Sequence, residues 1–226
     1  MKKYFYLFII ILVSSNAFAD TDNYKSISKI EMDVLRNGEK IGFSNYIFKY
    51  EDDEMEVKNK TEFEVKLLGV NLLSIKSNSI EKYKKNKLFY FNSKTTQNKK
   101  NKFVKLELNE DTNKFIINGS SFKGETDTDK VIGNWWNENI LSANSQISPL
   151  SGSIKEQVVK LIKKEIITIN GKSYETLKFQ LKSKNQDLPE DKKLDFEIWL
   201  DIKKRFLVKI SYERMGKWEY IINNYK

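Results

Sequence analysis

Apolar and polar residues alternate along most of this chain. A period of two restricts such segments to β-strands with one buried face. Ile30, Met32 and Val34 alternate with Glu31 and Asp33. Phe63, Val65 and Leu67 alternate with Glu62, Glu64 and Lys66, and Val104, Leu106 and Leu108 with Lys105 and Glu107. The pattern returns in Leu177, Phe179 and Leu181, in Phe196, Ile198 and Leu200, in Phe206, Val208, Ile210 and Tyr212, and in Trp218, Tyr220 and Ile222. Further strands are expected near 56–68, 72–83, 87–96, 157–169, 172–183, 194–201, 205–213 and 217–224. The connections are short, so successive strands should pair antiparallel as a meander. So many strands in one run must curl, because a long flat sheet exposes its edges. The expected class is all-β with minor α: a curled antiparallel meander sheet or incomplete barrel with a short helical or loop cover.

Three Asn-Gly pairs punctuate the pattern at 37–38, 118–119 and 170–171, and both residues tolerate the positive φ of a type I′ hairpin turn. A two-residue loop at 37–38 places Val34 opposite Ile41 and Met32 opposite Phe43. Tyr46, Phe48 and Tyr50 then occupy the other parity, which calls for a bulge near Ser44-Asn45. The second turn pairs Phe115 with Phe122, and the third pairs Ile167 with Tyr174. The segment 124–153 breaks the alternation. It holds Trp135-Trp136 among the turn formers Gly133, Pro149 and Gly152. It is expected to be a loop with a short helix near Asn134 to Leu141, dividing two meanders.

The first nineteen residues have the form of an export signal. Lys2 and Lys3 precede an apolar run from Tyr4 to Val13, and Ala17-Phe18-Ala19 supplies the small-residue cleavage pattern. A run of about ten residues is too short to cross a bilayer, which takes roughly 20. Cleavage after Ala19 is therefore expected, leaving residues 20–226 as a single β-rich domain in the periplasm. Cysteine is absent, which excludes disulfides and a cysteine-linked lipid anchor; the domain is expected not to be lipid-anchored. Histidine is absent too, which excludes histidine-based triads and metal sites.

The formal net charge is +9, and of the 40 basic residues all but Arg36, Arg205 and Arg214 are lysine. Lysine-rich surfaces arise from composition bias alone, whereas arginine is favoured where an anion is gripped bidentately. The charge therefore reads as a solvated surface or as attraction to an anionic membrane. Nucleic acid is not expected for an exported protein. Glu51-Asp52-Asp53-Glu54 and the group Glu125, Asp127 and Asp129 lack the spacing of a calcium loop. Ser120-Ser121 and Ser151-Gly152-Ser153 lack a nucleophile elbow. No catalytic residue, metal or cofactor is expected.

Two features admit a ligand. Trp135-Trp136-Asn137 either lines a mouth or plugs the sheet. The last three strands are apolar on both faces, with Trp199, Leu207 and Ile221 on the second. That face needs either a covering helix or loop, or it lines a cavity for a hydrophobic molecule.

The stretch Leu194 to Tyr212 resembles the strand–turn–strand of periplasmic lipoprotein carriers of the LolA/LolB type, through Trp199-Leu200-Asp201 and Leu207-Val208-Lys209-Ile210. The chain also resembles uncharacterised secreted β-rich proteobacterial families, domains of unknown function. It shares with them Gly38 with Ile41-Gly42, Trp136-Asn137 and aromatic terminal strands. These resemblances imply an incomplete antiparallel barrel whose concave face binds something hydrophobic. The leading expectation is a non-enzymatic periplasmic binding or carrier module for a lipid or acyl chain. Its lining would come from Trp135, Trp136, Phe196, Ile198, Phe206, Val208, Trp218 and Tyr220. The alternatives are an envelope structural or interaction protein docking a protein partner, and an outer-membrane β-barrel.

Overall fold

The structure, a computed structural model, describes residues 24–226. The expected signal and its cleavage site lie outside the described residues. The N-terminal meander comprises β1 (Lys29–Arg36), β2 (Glu39–Glu51), β3 (Glu54–Leu67), β4 (Val70–Lys84), β5 (Lys87–Gln97), β6 (Lys100–Asn109), β7 (Lys114–Gly119) and β8 (Lys123–Asp127). Two short strands follow, β9 (Val131–Ile132) and β10 (Ser145–Ile147). The C-terminal meander holds β11 (Ile154–Ile169), β12 (Lys172–Ser183), β13 (Asp195–Asp201), β14 (Leu207–Glu213) and β15 (Lys217–Tyr225).

All belong to one fifteen-stranded sheet in the order β8-β7-β6-β5-β4-β3-β2-β1-β15-β14-β13-β12-β11-β10-β9. The two meanders join where β1 pairs with β15, from Ile30 opposite Tyr225 to Arg36 opposite Trp218. The residues just before β1 and after β15 brace this seam, since Ser28 N–H donates to the Lys226 carbonyl at 2.6 Å. The margins β8 and β9 are linked only by residues 128–130. Four Cα steps of 3.8 Å hold those margins within about 15 Å of each other. The sheet therefore curls round on itself without closing into a barrel.

The segment between the meanders runs across the inside. Trp136 is fully buried, with its ring edge-on to Tyr24, Phe48 and Tyr83 at centroid distances of 5.1, 5.4 and 5.7 Å. Trp135 turns the other way, onto Phe196 at 5.1 Å and Tyr220 at 6.2 Å. Further along, Ser93 Oγ on β5 donates to the Pro149 carbonyl at 2.6 Å. The helix expected over Asn134 to Leu141 reduces to a 3-10 helix, Glu138–Leu141, capped by the Asn137 side chain. Trp135 and Trp136 lie in a bend before that helix, and their indoles go to opposite sides.

Two predicted registers are corrected. At the first hairpin Arg36 pairs with Glu39, but Val34 faces Gly42 and Met32 faces Ser44. The bulge lies at Ile41, nearer the turn than expected, and it sets Gly42, Ser44, Tyr46 and Phe48 on one face. At the second, the turn spans residues 119–122 and Phe115 faces Thr126 instead of Phe122. Gly119 serves a close approach there: a Cβ on it would sit 2.7 Å from the Ser151 carbonyl oxygen. The third pairing, Ile167 with Tyr174, is observed.

On the second face of the last strands Trp199 is buried beneath neighbouring side chains. Its ring lies under the ammonium groups of its cross-strand neighbours Lys178 and Lys209, at 4.7 and 5.1 Å. Its Nε1 donates to Glu165 at 2.9 Å. Leu207 reaches the core because a register shift between β13 and β14 sets it opposite Leu200, and Val208 is buried beside it.

Candidate functional site

The cavity arises where core-facing positions carry small polar residues. On β2–β5 the inward parity runs through Ser44, Asn59, Ser77, Ser79, Ser93 and Thr95, all buried. Ser44, Asn59, Ser77 and Ser79 line the cavity, where each fills less space than a Leu or Phe would. Several of these hydroxyls and amides satisfy one another, as burial requires. Ser44 Oγ and Thr61 Oγ1 are 2.7 Å apart, Asn59 Nδ2 donates to Ser44 Oγ at 3.1 Å, and Ser77 Oγ lies 2.7 Å from Thr95 Oγ1.

Facing this band is an aromatic wall. Phe196 packs on Tyr212 at 5.2 Å, Tyr212 stacks on Trp218 at 5.8 Å, and Trp218 meets Phe63 of β3 at 5.6 Å. Trp135 and Leu150 enter from the crossing segment, and Val65, Leu73 and Ile75 complete the apolar lining. The space, open to one side, is about 500 Å³, within the roughly 300–1,000 Å³ typical of small-molecule sites. Burial pushes the Tyr212 phenol up to about 12 and raises Tyr220 further, so both remain neutral hydroxyls.

Arg36, Lys155 and Arg214 line the same space, with the exposed Leu72 and Met215 beside them. Burial, and then the neighbouring Arg214 charge, lower the Lys155 ammonium below its usual value. Among the described residues, no Asp or Glu lines the cavity.

Behind the wall, Glu81 fastens the crossing segment. It is 1% exposed and accepts from Asn134 Nδ2, from Trp136 Nε1 at 2.9 Å and from the Tyr83 hydroxyl at 2.6 Å. Three neutral donors and no cation leave desolvation dominant, and the carboxyl is pushed up to about 7.

Of the residues singled out from the sequence, Trp135, Phe196, Trp218 and Tyr220 line the cavity. Trp136, Ile198, Phe206 and Val208 lie wholly in the packed core instead. The Ser/Thr/Asn band and the basic rim were missed. The available signal was polar residues at core parity, as in Ile75, Ser77, Ser79, Glu81 and Tyr83. Among the described residues, no group of three or more His, Cys, Asp or Glu is placed to hold a metal, and no helix is long and apolar enough to cross a membrane.

The profile of the family described as "Domain of unknown function (DUF6134)" matches residues 32–223. The chain belongs to the DUF6134 family. That match spans the seam, both meanders and the crossing segment, so the family's unit is the whole curled sheet. No curated protein matches the sequence. The fold is similar to the crystal structure of a beta-barrel-like protein of domain of unknown function DUF1849 from Brucella abortus. The TM-score is 0.60 at 8% identity, covering 88% of this chain and 97% of that one. At that identity the likeness is one of fold alone, and it places this DUF6134 chain among beta-barrel-like proteins.

Proposed function

We propose that this protein is a non-enzymatic binding or carrier module of the periplasm that holds a hydrophobic ligand, a lipid or acyl chain, inside the curled sheet. The observation that carries this reading is the cavity itself: about 500 Å³ between an aromatic wall and a polar band. The exterior speaks against an outer-membrane barrel. Outward residues of β3 and β4 form charge ladders, with Glu62 reached by Lys60 and Lys76 and Glu56 by Lys58 and Lys82. A lipid-facing band would be apolar there.

The two tryptophans test the reading. Trp135→Ala is expected to weaken binding of an alkyl ligand about tenfold with a small change in stability. Trp136→Ala is expected to cost about 3–5 kcal/mol of stability, because it empties a filled core site. Calorimetric titration and denaturant unfolding of both variants check this. Unchanged alkyl binding in Trp135→Ala would remove the ligand role.

A second reading, an envelope protein that docks a protein partner, is favoured by β11. Among the described residues no strand pairs with the outer edge of Val158–Ile169. Val158, Leu161, Ile162 and Ile166 are exposed along it. An open edge of this kind is a template for strand addition.

A further inference from the structure

We infer that the ligand is an anionic amphiphile, with its alkyl chain in the cavity and a carboxylate or phosphate head at Arg36, Lys155 and Arg214. This rests on the binding reading above and adds the chemistry of the head group. Two of the chain's three arginines lie on this one rim. The third, Arg205, is engaged by Glu138 at 2.6 Å. Lysines across the outer surface sit beside carboxylates, as in the β3–β4 ladders. The rim cations do not: among the described residues none of the three is within ion-pair distance of an Asp or Glu.

They are held instead by backbone oxygens. Arg36 donates to the Met215 carbonyl and lies over the Trp218 ring at 5.9 Å. Arg214 donates to the Lys193 and Glu190 carbonyls at 3.0 and 3.2 Å, and Lys155 to that of Lys192 at 3.1 Å. A carbonyl orients a cation without neutralising it. Trp218 also donates through Nε1 to the Arg214 carbonyl at 2.8 Å, which ties the two arginine positions to one indole. Glu190 feels the Arg214 charge and Asp191 acts on Lys155, but neither lines the cavity, and Glu190 is paired with Lys193. The site thus sets an aromatic wall against a polar band, is cationic at its rim and, among the described residues, has no carboxylate in its lining. Guanidinium groups match the planar oxygens of carboxylate and phosphate.

The test compares four probes of one chain length, titrated calorimetrically into the delipidated protein: dodecanoate, dodecyl phosphate, dodecanol and dodecyltrimethylammonium. At least one anion is expected to bind about tenfold or more tightly than dodecanol. The tighter anion tells a free fatty acid from a phosphorylated lipid head. The Arg36→Gln/Arg214→Gln double variant, shown to be folded by a cooperative thermal melt, is expected to erase the advantage of the anion over dodecanol; an advantage it retains overturns the head-group assignment. Equal affinity for dodecanol, or a preference for the cation, overturns this inference and leaves the hydrophobic site standing. Binding of none of the four overturns both.

Discussion

Glu81 shows how one side chain ties packing to solution conditions. In the unfolded chain its carboxyl titrates near 4.5; in the fold it is pushed up to about 7 by burial. Between those values the folded protein binds more protons than the unfolded one, so stability falls as pH rises. The contribution is complete below the unfolded value and is lost above about 7. From pH 5.5 to 8 the expected loss is about 2 kcal/mol. Glu81→Gln keeps an acceptor for Asn134 and Trp136 but cannot ionise, and should flatten the profile. Denaturant melts of both proteins at the two pH values decide it, and parallel losses would discount Glu81. Residue by residue, the cavity was hard to see beforehand. Ser77 and Ser79 look like surface residues, yet both are buried, and the Ser77 hydroxyl is satisfied by Thr95 on the neighbouring strand. Arg36 and Arg214 are far apart in sequence and meet only across the β1–β15 pairing.

At the level of elements, strand positions were legible because outward residues are charged wherever inward ones are apolar. Every strand anticipated from 56 to 96 and from 157 to 224 is present. Bulges were not legible, because their cause lies in another strand. Ile41 becomes the extra residue because Gly42 sits against β3: a Cβ there would overlap the Glu62 carbonyl oxygen and the Phe63 Cβ. Gly42→Ala should therefore force β2 away from β3 and cost about 1–3 kcal/mol, the usual penalty of overpacking. Gly38→Ala is a useful contrast, since open space surrounds that position and only its positive φ of 84° is strained. Amide exchange in β3 near Glu62 should rise in the first variant alone. Equal destabilisation by both, with no local change at β3, would point to backbone conformation instead of crowding.

For the molecule as a whole, the local pattern predicts two meanders and says nothing of how they join. The seam pairs residues nearly the full chain length apart, and no turn chemistry announces it. Once formed, it makes the sheet continuous between the meanders, while the crossing segment touches both: Trp136 packs on β2 and β4, Trp135 on β13 and β15. The covalent link at 128–130 is then not what holds the halves together. Cutting it should leave the fold intact, because the β1–β15 ladder, the Glu81 contacts and the buried Trp136 all survive the cut. A protease site placed between Thr128 and Lys130 allows the measurement. After cleavage the two fragments should co-elute in native size-exclusion chromatography and separate only in denaturant. If they part without denaturant, the link itself maintains the curl. The seam would then be a contact the sheet makes because its margins are tethered, and the cavity would depend on a three-residue connection.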